Sequence, residues 1–184
     1  MASSYRAVVI HSWIGGGKTS TARIVAKALR TRGYSVKGIL SIRLSCGVSD
    51  GYNAEDLYTG EIYPLVRLSS SVEGTDWETY GNPVYSFSHL GFIKANNALQ
   101  EAANKIAPGV VVFLDEFGKL EVKGEGIRLG FNSVVSSISR GGVVVVLCRS
   151  PLVPDVATLL RKTANEIGIF KAGDAESVVN FLIN

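Results

Sequence analysis

Apolar positions recur along the chain with two alternating periods, and this pattern predicts strands followed by helices. Ala7, Val8, Val9 and Ile10 form a buried strand that leads through a glycine-rich turn into a helix. On that helix Ala22, Val25, Ala26 and Leu29 fall at i, i+3, i+4 and i+7, and Gly33 ends it. Residues 36–42 read as a second strand. Residues 52–58 and 61–68, joined by Thr59-Gly60, read as a β-hairpin, with Pro64 assigning the second run to a sheet edge. Residues 69–82, rich in Ser, Gly, Thr and acids, read as a surface loop or flap.

Residues 83–88 are a short strand candidate, and Ser88 is placed to cap a helix with Leu99, Ala102, Ala103 and Ile106 on its apolar face. Two continuous apolar runs, 110–114 and 143–148, have the composition of strands buried on both faces of a parallel sheet. Between them Phe131, Val134, Val135 and Ile138 mark a helix, broken by Gly141-Gly142. Val156, Leu159 and Leu160 predict a further helix, 167–170 a last strand, and Asp174 the cap of a terminal helix carrying Val178 and Leu182. Strands alternating with helices and joined by right-handed crossovers predict an α/β fold, a mostly parallel sheet covered on both faces. Ligands on such sheets bind at the carboxyl ends of the strands.

Composition narrows this picture. The 184 residues, 46% hydrophobic and 19% charged, suit one domain spanning 1–184. A net charge of +3, spread without blocks, suits a nucleotide and gives no clear nucleic-acid surface. No apolar run approaches the ~18 residues of a membrane span, and the amino-terminal residues lack a signal-peptide pattern, so the expectation is a cytoplasmic protein with no membrane partner. Cys46 and Cys148 form no C-x-x-C pair, and His11 and His89 no metal-ligand spacing. A monomer is the expected state.

The turn after the first strand carries the chemistry. Gly15, Gly16 and Gly17 allow successive N–H groups to point inward, and the helix that starts there aims its positive end at the same point. Lys18 can reach the β and γ phosphates, the Thr19 hydroxyl can bind Mg2+, and Ser20 follows in the same first turn. Against the full motif G-x-x-x-x-G-K-[ST], Ser12 stands where the first glycine belongs, at a cost of about 1 kcal/mol if φ there is positive. The run 110–114 ends in Asp115-Glu116. An aspartate there can hold Mg2+, and the adjacent glutamate can accept a proton from the attacking water.

Arg149, after run 143–148, either meets the transferring phosphoryl group, pairs with a carboxylate or lies in solvent, with Arg128, Arg140 and Arg161 as alternatives. Lys119 and Glu121 either contact nucleotide or fix the loop behind the acidic pair. Trp13 has packing against the sheet as its more frequent fate and base stacking as the other; His11 reads as structural. Trp77 and Tyr80 read as packing residues, with closure over a base as the alternative.

The strings GGGKTSTARIVAKAL, GNPVYSFSHLGFIKANNAL and VVVFLDEFGKLE resemble those of the small P-loop nucleoside-triphosphatases, the cancer-related nucleoside-triphosphatase family, in order and spacing over residues 6–150. That family's acidic segment, approximately D-E-[IVF]-G-[KP]-[ML]-E, is filled in register by residues 115–121. The resemblance implies a RecA-like sheet with another strand between the phosphate-loop strand and the acidic strand. It also implies Mg2+-dependent hydrolysis of nucleoside triphosphates, ATP or GTP, with little base selectivity. Lys18 would then serve the phosphates, Thr19 and Asp115 the metal, and Glu116 would be the catalytic base. Two other readings stand beside it. A small-molecule or nucleotide kinase needs an acceptor pocket and an arginine-bearing lid. A nucleotide-dependent switch or cofactor-assembly accessory needs a protein partner; residues 115–118 fit its D-x-x-G, yet no guanine-reading N-K-x-D follows, Lys171 and Asp174 being one residue too far apart.

Overall fold

The computed structural model describes residues 5–44, 51–79 and 84–183. In chain order the elements are β1 (Arg6–Ser12), α1 (Lys18–Thr31), β2 (Ser35–Leu44), β3 (Gly51–Asp56), β4 (Ile62–Leu68), β5 (Trp77–Thr79), β6 (Tyr85–Ser88) and α2 (His89–Asn104). There follow β7 (Val110–Phe117), α3 (Lys119–Val122), α4 (Arg128–Ser137), β8 (Val143–Arg149), α5 (Val153–Leu160), β9 (Glu166–Lys171) and α6 (Ala175–Ile183). The strands join in one sheet, ordered β5-β6-β4-β3-β2-β7-β8-β1-β9. From β2 to β9 every pairing is parallel, and β8 lies between β1 and β7 as the resemblance implied.

Alternation along the central strands divides the core in two. Ala7, Val9, Val112, Leu114, Val144 and Val146 face the cluster that holds residues of α2, α4 and α5. Val8, Ile10, Val111, Phe113, Val145 and Leu147 face the cluster that holds residues of α1 and α6. The continuous valine runs of β7 and β8 follow from this, because both faces of those strands exclude water.

Beyond β2 the sheet turns antiparallel. The predicted hairpin is present as β3 and β4, but β4 is not the edge: β6 pairs with its distal half and β5 with β6. Pro64 is accommodated because β6 reaches only Val66, Arg67 and Leu68, and because the β3–β4 register shifts beside it, between Tyr52 and Asn53. Its carbonyl lies so close to Gly91 of α2 that a Cβ at 91 would collide with it, so glycine there lets the helix settle on the sheet. Ser88 caps α2 by accepting the Gly91 N–H at 2.9 Å. The expected loop at 69–82 is corrected over its described part: it contains a short 3-10 turn, Ser69–Ser71, and the edge strand β5. Tyr80 lies outside the described residues. Among the described residues no helix is long and apolar enough to cross a membrane.

Candidate active site

Parallel strands bring Ser12 of β1, Arg149 of β8, Asp115 and Glu116 of β7 and Ser41 of β2 towards one rim, where α1 begins. A cavity of about 320 Å3 opens there. Gly15, Gly16, Gly17, Lys18, Thr19 and Ser20 form one wall; Glu116, Arg149, Ser41, Ile42, Arg43 and Tyr52 form much of the rest. Gly15 and Gly17 adopt φ of +73° and +82°, which bends the loop. No side chain caps α1, so its first-turn N–H groups remain for a ligand.

Ser12 does not carry the cost that a positive φ would bring, since no described non-glycine residue has one. It closes β1 opposite Arg149, and its hydroxyl donates to the Trp13 carbonyl at 2.9 Å. A Cβ at Gly16 would lie 2.6 Å from the Ser12 Oγ, so the serine occupies the space that glycine at 16 leaves open. Trp13 overturns the packing expectation: it is 70% exposed at the loop apex, with Ile14 at 65% beside it. Both residues lie past the end of β1 at Ser12 and before α1 begins at Lys18, where the side chains have no sheet to pack on.

Lys18 is buried, unusually for a lysine, and its Nζ lies 3.8 Å from a Glu116 carboxylate oxygen. The Arg149 Nε donates to the same oxygen at 3.1 Å. At Glu116 the β7–β8 register shifts, so that Asp115 pairs with Leu147 and Phe117 with Cys148. This leaves Glu116 as the extra residue of a bulge, a device that redirects a side chain. Asp115 is buried behind the cavity; its Oδ2 accepts from Thr19 Oγ1 at 2.7 Å and from the Ser41 N–H at 3.0 Å. Burial pushes its carboxyl up to about 6, against the pull of these hydrogen bonds and of Lys18. Thr19 and Asp115 thus bring hard oxygen donors together, the donor chemistry that a magnesium ion requires.

Of the residues with open alternatives, Glu121 fixes the loop. It is buried and accepts from the Gly118 N–H at 2.9 Å and the Ile127 N–H at 3.0 Å. Lys119 is exposed. His11 Nδ1 lies 3.0 Å from the Ser150 hydroxyl, and burial, with Lys171 nearby, pulls its pKa down. Arg128 bonds the Glu121 carbonyl and Arg140 the Ala103 carbonyl, so neither replaces Arg149. Trp77 belongs to β5, at the opposite edge of the sheet from the β1 end. Ser41, Arg43 and Tyr52 were missed from the sequence; the first two lie near the carboxyl end of a parallel strand, which is the signal that could have found Ser41.

The family model described as NTPase matches residues 7–171. Comparison with curated proteins finds no match. A solved structure described as the solution structure of a human cancer-related nucleoside triphosphatase aligns over 97% of each chain, with a TM-score of 0.71 at 22% identity. That likeness establishes a P-loop NTPase fold, and the family match spans most of the sequence. The chain belongs to the NTPase family.

Proposed function

We propose that the protein hydrolyses nucleoside triphosphates to the diphosphate and phosphate with Mg2+ and with broad base tolerance. The observation that carries this is Glu116, whose carboxylate lies in the phosphate cavity between Lys18 and Arg149. The loop N–H groups and Lys18 hold the phosphate chain, with the γ-phosphoryl group towards β7. Glu116 orients a water and takes its proton; the new bond joins that oxygen to the γ-phosphorus while the bond to the β-phosphate oxygen breaks, releasing the diphosphate. Arg149 aims Glu116 and places positive charge beside the developing phosphoryl charge. Thr19 and Asp115 would hold Mg2+, which when bound neutralises phosphate charge. Base tolerance is supported by a cavity whose polar lining addresses phosphates, the part common to every nucleotide.

One observation favours a second reading. The cavity continues past Glu116 to Arg43 and Tyr52, register partners on β2 and β3, where an acceptor hydroxyl could replace water. Phosphate release measured with Mg2+ and each of ATP, GTP, CTP and UTP, with no acceptor present, tests the hydrolase. Comparable turnover on all four is the expected result. No phosphate release without an acceptor, together with diphosphate formation that requires an added alcohol and label recovered on that alcohol, would replace it with the kinase reading.

A further inference from the structure

A second cavity, of about 270 Å3, is lined by residues of β5, β6, the first part of α2, α3 and the loop from α3 to α4. Its floor is apolar: Phe87, Phe92, Ile93 and Leu120 line it, with the two phenyl rings tilted at 38° and 6.3 Å apart. Ser88 and Asn96, which also line it, are already engaged. The Ser88 hydroxyl donates to Asp76 at 2.7 Å and accepts from Gly91. The Asn96 amide donates to the Phe92 and Gly126 carbonyls at 2.9 Å, and its oxygen accepts from Gly130 at 2.7 Å.

Among the described residues, the lining contains the carboxylates Glu78 and Glu125 and the His89 ring, but no lysine or arginine. Aromatic faces attract cations, carboxylates attract them further, and an apolar floor favours a guest with hydrocarbon on it. We propose that this cavity is a binding site for a small organic cation, an alkyl- or aryl-ammonium compound, separate from the nucleotide cavity. Glu125 supplies the counter-charge, and Phe87 and Phe92 supply the aromatic faces. An inorganic cation would leave the apolar floor unmatched, and an anion would face the Glu125 carboxylate.

Titration calorimetry of the full chain with benzyltrimethylammonium, alone and in saturating ADP with Mg2+, tests the site. Saturable binding at about millimolar concentration or tighter is expected, unchanged by ADP, and phenylacetate should give none. Glu125→Gln and Phe92→Leu should each weaken binding by about threefold to tenfold. A melting temperature equal to the parent's is the folding control, and the exposed Glu125 keeps the test valid if Phe92→Leu does not fold. Absence of saturable binding, equal binding of phenylacetate, displacement by ADP, or unchanged affinity in Glu125→Gln would overturn the proposal.

Discussion

The two cavities of this chain each draw a residue from segment 115–121, Glu116 for the first and Leu120 for the second, and their linings have opposite character. The first is lined by Lys18, Arg23, Arg43 and Arg149 against Glu116, beside the glycine loop 15–17. The second is lined by Glu78 and Glu125 over phenyl rings, with no lysine or arginine among the described residues. Glu121 fixes the turn after the acidic pair by accepting from the Gly118 and Ile127 N–H groups, and Leu120 and Gly126, which flank those contacts, line the second cavity. The contrast also shows why backbone donors suit phosphate. They carry no side-chain entropy and are fixed by the fold.

The largest expected effect removes the buried cation of the first cavity. Lys18→Ala should lower phosphate release on the order of 10²–10³-fold in a steady-state assay and leave benzyltrimethylammonium binding untouched. Loss at both cavities would break the separation. Glu121→Ala should reach both, because two N–H groups lose their acceptor: a stability loss of about 2 kcal/mol in urea titration, with turnover and cation affinity both reduced. Gly91→Ala forces α2 away from the Pro64 carbonyl and should cost about 1–3 kcal/mol by the same titration, disturbing the second cavity more than the first.

Asp76 anchors the start of α2. Its hydrogen bonds from the Ser88 hydroxyl and the Leu90 N–H hold its carboxyl below the usual range. A depressed folded pKa means the unfolded chain binds the proton more readily, so this stabilisation is present above about pH 4 and is lost as pH falls through the folded value. Asp76→Ala removes an acceptor from the first turn of α2. With solvent screening weakening the carboxylate's share, it should cost no more than about 1 kcal/mol near neutrality, and the gap from the parent should narrow on acidification. The smallest effect is expected of Ser12→Gly, because Ser12 already avoids positive φ: nucleotide affinity should change by less than about threefold.

The central sheet was legible because β7 and β8 are buried on both faces and leave uninterrupted apolar runs. The glycine turn between β1 and α1 was legible because strand, glycines and helix are contiguous. β5 was not, since Trp77, Glu78 and Thr79 form a short edge paired on one side, with no alternation to reveal it. Pro64 misled because a register shift, rather than a free edge, accommodates it. Trp13 misled because an aromatic residue usually packs, and a loop that wraps a ligand gives it nothing to pack on. Tyr52 reaches the first cavity only through antiparallel pairing with Arg43, and Glu78 and Glu125 meet at the second through tertiary packing; neither long-range relation leaves a local pattern.

The central claim is that Glu116, held by Arg149 beside Lys18, takes the proton of the attacking water. Phosphate release by Glu116→Gln, measured beside its affinity for the triphosphate, tests it most directly. The account predicts affinity within a few fold of the parent and turnover lower on the order of 10²-fold or more. Parental turnover at parental affinity would contradict it.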